Sequence, residues 1–162
     1  MAKAKGAAEI GVIGDEALML RLVRGLNETL SNLSDLAAAY KQAHWNILGP
    51  SFTQLHELTD RFAGQTREYI DLVAERAVAV GGVAHGTIQA AVKTTSLPPF
   101  PLEERDEEQL LTALVASVRR TVEELRRAAD GTEADLVTQD LYLEVLHGTE
   151  KQLWMLQAHL AR

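Results

Sequence analysis

The chain has 162 residues, a formal net charge of −7, 46% hydrophobic and 24% charged residues, and no cysteine. That balance suits one globular domain with a sizeable core and argues against a broadly basic nucleic-acid surface. The missing thiols exclude disulfides, a thiolate zinc site and a cysteine nucleophile, so any metal must be held by histidine and carboxylate.

The opening fourteen residues are small, Gly-containing and aperiodic. They predict a flexible N-terminal arm (1–14) bearing Lys3 and Lys5, ahead of one folded domain (15–162). No apolar core of signal-peptide length precedes the first helix, and no apolar run approaches the roughly 18 residues of a membrane span. A cytoplasmic protein with no membrane partner is expected.

Asp15 offers an N-cap, and Met19, Leu22, Leu26, Leu30, Leu33, Ala37 and Tyr40 then recur at three- and four-residue steps as far as His44. This is one amphipathic helix. Leu48-Gly49-Pro50-Ser51 ends it: Gly49 is expected to free the backbone, Pro50 to interrupt the ladder, and Ser51 to cap a second helix running from Phe52 to Val80. Gly81-Gly82 closes that helix, and the short turn between the two predicts antiparallel packing.

Residues 83–101 form a long connection with room for a short helix near 87–93. A crossover of that size can return the chain to the other end of a bundle, so the second and third helices can run parallel. The third helix is expected over 103–129. A fourth is expected over 133–160, capped by Thr132. The predicted class is all-α: a ferritin-like four-helix bundle whose long crossover carries a short helix between helices 2 and 3.

The chemistry concentrates between His44 and Glu75. His56 and Asp60 are four residues apart, as are Asp71 and Glu75, so each pair projects from one helical face, one turn above the other. All four positions of the second helix fall within about 100° of azimuth. His56 and Asp71, however, lie about 22 Å apart along the axis at a 1.5 Å rise per residue, far beyond any coordination distance.

Two copies of the helix crossing antiparallel about a two-fold axis remove the conflict. A dyad between Gln65 and Thr66 sets His56 opposite the partner's Glu75 and Asp60 opposite the partner's Asp71, giving two equivalent half-sites. Gly64, close to that dyad, would let the backbones approach. His44, on the far side of the turn, can join the same half-site. The same residues also fit a solvated, ion-paired face, and spacing alone does not choose between the two. Glu144-x-x-His147 has a di-iron spacing but only one copy, and reads as structural or surface. Trp45 is either a packing residue or an electron donor beside a redox metal.

The runs HWNILGPSFTQLHELTDRF and DLVAERAVAVGGVAHGT closely resemble the Dps family, DNA-binding proteins from starved cells and miniature ferritins. The resemblance extends over nearly the whole chain, including a late Trp in the final helix and a lysine-bearing arm. It implies a dodecameric shell with ferroxidase centres at two-fold interfaces, where His44, His56 and Asp60 of one subunit and Asp71 and Glu75 of its neighbour bind Fe(II), with Trp45 beside them. Hydrogen peroxide is the implied preferred oxidant, and ferric iron is stored as mineral within the shell.

By the same resemblance, Asp135 is a candidate lining residue of an acidic iron pore, and Lys3 and Lys5 are candidate DNA contacts that could place the shell on the nucleoid. A mainly architectural nucleoid DNA-binding protein is the alternative function.

Overall fold

The computed structural model describes residues 11–161. Its elements are α1 (Glu16–Asn46), α2 (Phe52–Ala79), the short α3 (Ile88–Thr94), α4 (Glu107–Asp130) and α5 (Leu136–Leu160). α1 packs chiefly on α2, α4 on α5, and α3 on α1. The all-α bundle with a helix inside its crossover is as expected. Among the described residues no helix is long and apolar enough to cross a membrane.

Local sequence explains most boundaries. The Asp15 carboxylate accepts the Leu18 N–H at 3.0 Å, satisfying one of the donors that a helix start leaves unpaired. α2 ends at Ala79 with Val80 as its C-cap, and Gly81 follows with φ of 106°, a left-handed conformation that only glycine adopts cheaply. Residues 11–14, assigned by sequence to the arm, lie against this end: Val12 N–H donates to Ala79 O at 3.0 Å and Ile13 packs on the core.

Three boundary expectations are corrected. Ser51 occupies the N-cap position of α2 but makes no side-chain cap bond; its N–H instead donates to Glu107 from α4. Residues 103–106 are not helical, because Asp106 caps α4 through Glu108 N and Gln109 N. The Arg105 carbonyl just before it accepts Leu48 N–H at 2.7 Å. Thr132 does not cap α5; its hydroxyl donates to Ala128 O and Ala129 O, closing the end of α4.

The Leu48–Asp106 bridge sets the topology, since it places the start of α4 beside the turn from which α2 starts. α2 and α4 therefore run parallel, and the crossover spans the length of the bundle. Side chains of α1 hold it there. Asn27 donates to Val83 O and accepts His85 N–H, while Asn32 accepts Ser96 N–H.

The core divides into two apolar clusters, one at each end. Tyr69, Val73, Leu26, Leu30 and Val145 belong to one, and Tyr40, Leu36, Leu55, Phe62 and Leu114 to the other. A polar seam joins them. Tyr40 O–H donates to Gln152 Oε1 at 2.9 Å, Gln152 Nε2 to Gln65 Oε1 at 2.9 Å, and Gln65 Nε2 to Tyr69 Oη at 2.6 Å. Gly148 makes room, because a Cβ there would stand 1.7 Å from Tyr69 Oη. No buried side-chain polar atom among the described residues lacks a partner.

Candidate metal centre

The last turn of α1 and the first turns of α2 meet at the end of the bundle that carries the second core cluster. The antiparallel hairpin brings His44 and His56 face to face, with ring centroids 3.7 Å apart and planes 23° from parallel. Each ring is tied to the other residue's backbone: His44 Nδ1 lies 2.8 Å from His56 O, and His56 Nδ1 lies 2.8 Å from His44 O. A carbonyl oxygen only accepts, so each Nδ1 carries the hydrogen. In a neutral ring that places the lone pair on Nε2, the atom left to bind a metal.

The acceptors follow from helix geometry. His44 is in the last turn of α1, where carbonyls have no intrahelical partner. His56 O also takes the Thr59 hydroxyl at 3.2 Å.

Asp60, one turn beyond His56, is exposed and bound at 2.6 Å by the ammonium of Lys41. The hydrogen bond from Lys41 is the main reason its carboxyl lies below the usual value; desolvation opposes it, and the charge of Lys41 adds to the lowering. Lys41 also stands 5.5 Å from the Trp45 ring centroid, in cation–π range, and Trp45 is 68% exposed. Sequence reasoning missed Lys41. The available signal was its place three residues before His44 and four before Trp45, on the same face of α1.

Asp71 and Glu75 are exposed further along α2. Among the described residues, no three His, Asp or Glu side chains of a single chain come together to hold a metal. Of the five expected ligands, His44 and His56 are held against each other with Asp60 one turn further along α2, while Asp71 and Glu75 are carried elsewhere on the same helix. Glu144 and His147 are exposed on α5. Lys3 and Lys5 lie outside the described residues.

Asp135 does not present a free carboxylate in the chain. It pairs with Arg76 Nη2 at 2.5 Å, the two side chains being 10% and 11% exposed. Thr138 donates its hydroxyl to the same carboxylate and accepts Arg76 Nε–H. Burial pushes the Asp135 carboxyl up, but the hydrogen bonds from Thr138 and Arg76 and the guanidinium charge outweigh it, so the net shift is downward.

Known proteins share both this fold and much of this sequence. A family model for the ferritin-like domain matches residues 23–162. The chain is 38% identical over 137 residues to the DNA protection during starvation protein of Agrobacterium fabrum, a match covering 83% of this chain and 85% of that one. With the protein of the same description from Mycolicibacterium smegmatis it shares 34% identity over 136 residues, 83% of this chain and 74% of that one. Among solved structures, DpsC from Streptomyces coelicolor superposes with a TM-score of 0.91 at 32% identity, over 96% of this chain and 92% of that one. DpsA14 from the same organism gives 0.90 at 34%, over 95% and 93%. The chain belongs to the Dps family of ferritin-like proteins.

Proposed function

We propose that this chain oxidises Fe(II) at half-sites shared between two subunits, with His44, His56 and Asp60 from one and Asp71 and Glu75 from the other. As in its family, the reaction serves iron storage inside a shell of twelve subunits and protection of DNA from oxidative damage in the cytoplasm. The observation that carries the ligand assignment is the reciprocal His44–His56 pairing, which leaves two imidazole lone pairs free beside a carboxylate. The missing ligands sit about 22 Å along α2 on the same face, a distance only an antiparallel partner can close.

Iron is substrate here. Two imidazoles and three carboxylates form a mixed nitrogen and oxygen donor set suited to ferrous iron and, through the carboxylates, to the harder ferric product. Each ferrous ion gives up one electron and hydrogen peroxide takes two. Two ferrous ions, one peroxide and two waters thus yield two FeOOH units and four protons. The pairing of electrons matters because a single-electron reduction of peroxide releases hydroxyl radical. The fixed Nδ1–H groups hold the rings without consuming a lone pair, and Trp45 offers an oxidisable side chain next to His44.

The direct test is to add Fe(II) and peroxide to the purified protein, size the product and count iron per shell. The proposal expects an assembly of constant hydrodynamic size that retains ferric iron, with retention lost in His56→Ala. Equal iron oxidation and retention in that variant would overturn the assignment.

A further inference from the structure

We infer that Glu107 is a positioning residue for the two histidine ligands, acting through the turn that joins their helices. The inference rests on the proposed role of His44 and His56.

Residues 47–51 separate α1 from α2. Glu107, the first residue of α4, reaches back to this turn: its Oε2 accepts Ser51 N–H at 2.9 Å, and its Oε1 lies 3.4 Å from Ser51 Oγ. Gly49 is shaped around the same carboxylate. Among the described residues the glycines with positive φ are Gly11 and Gly81, so Gly49 is not needed for an unusual backbone conformation, contrary to the sequence expectation. It is needed for space, because a Cβ at this position would stand 2.2 Å from Glu107 Oε2 and 2.5 Å from its Cδ. Leu48, next to it, is bonded to Arg105 O. The turn is held at Leu48 by Arg105, just before α4, and at Ser51 by the first residue of α4.

The carboxylate takes the N–H of the N-cap residue itself and sets a negative charge against the positive end of the α2 dipole. The His44–His56 geometry depends on this anchor. The two reciprocal 2.8 Å bonds cross between the end of α1 and the first turn of α2, and both require that spacing at once. A turn free to shift by about 1 Å would stretch them out of hydrogen-bond range and release the tautomers. Ligands held before metal arrives bind without the cost of ordering them.

The experiment titrates the metal-free assembled shell with Zn2+, a redox-inert ion that takes the same donors, and measures Fe(II) oxidation separately. Glu107→Ala is expected to weaken Zn2+ binding about tenfold, the low end for groups that support metal ligands, and to raise KM for Fe(II) while leaving kcat near wild type. Gly49→Ala should do the same by displacing the carboxylate. Combining the two should be no worse than either alone, and Glu107→Gln, which keeps an acceptor for Ser51 N–H, should retain most of the affinity. Wild-type Zn2+ affinity in assembled Gly49→Ala or Glu107→Ala shells, with His56→Ala losing it, would overturn the positioning role alone. Unchanged affinity in His56→Ala as well would overturn the ligand assignment beneath it. Should Glu107→Ala fail to assemble, Gly49→Ala decides the matter.

Discussion

The Lys41 ammonium sits 2.6 Å from Oδ1 of Asp60, so one of the proposed iron ligands is already neutralised by its own chain. A metal ion must displace that ammonium to reach the carboxylate. Lys41→Gln is therefore expected to tighten metal binding a few-fold, and the pair is too exposed for the gain to be larger. Titrating Zn2+ into the assembled variant checks this, and weaker binding than wild type would show that Lys41 organises the site instead of competing for it.

The polar seam gives a stability prediction. Replacing Gln152 with Leu removes the acceptor for Tyr40 O–H and the donor to Gln65, leaving buried groups unpaired between two apolar clusters. The expected loss is about 1–3 kcal/mol. Denaturant unfolding at fixed subunit concentration is the appropriate measurement, because assembly itself contributes to apparent stability.

The Arg76–Asp135 pair predicts a pH dependence. The folded-state carboxyl of Asp135 lies below its ordinary value, so its contribution is fully present above the unfolded pKa of about 4 and is lost as pH falls through the folded pKa. Asp135→Asn should cost about 1–2 kcal/mol near neutrality, between an exposed ion pair and a fully buried one. The gap between variant and wild type should close on acidification below pH 4. A gap that stays constant from pH 7 to pH 3 would assign the loss to packing.

Much of this was legible in the sequence, and most of the exceptions arise from contacts between residues far apart in the chain. Apolar steps from Met19 to Tyr40 and from Phe52 to Val80 gave both long helices, because period 3.6 depends only on neighbours along the chain. The His56–Asp60 and Asp71–Glu75 pairs were readable for the same reason. Thr132 turns its hydroxyl back to the α4 carbonyls three and four residues earlier instead of capping α5, and Ser51 sits at the N-cap of α2 without a side-chain cap bond, engaged by Glu107 from 56 residues away. Likewise, the Lys41–Asp60 contact spans nineteen residues and exists only once the hairpin has closed. Local pattern names the proposed ligands, whereas tertiary contacts decide what holds and what blocks them.

The central claim is that each half-site draws ligands from two chains. Neither His56→Ala nor Asp71→Ala homomers contain a complete half-site, but a mixed pair of the two subunits contains one complete half-site and one lacking both residues. Shells reassembled from an equal mixture, with both subunits verified by mass spectrometry, should recover peroxide-dependent Fe(II) oxidation that neither parent shows. Mixed shells as inactive as the parents would contradict the shared half-site.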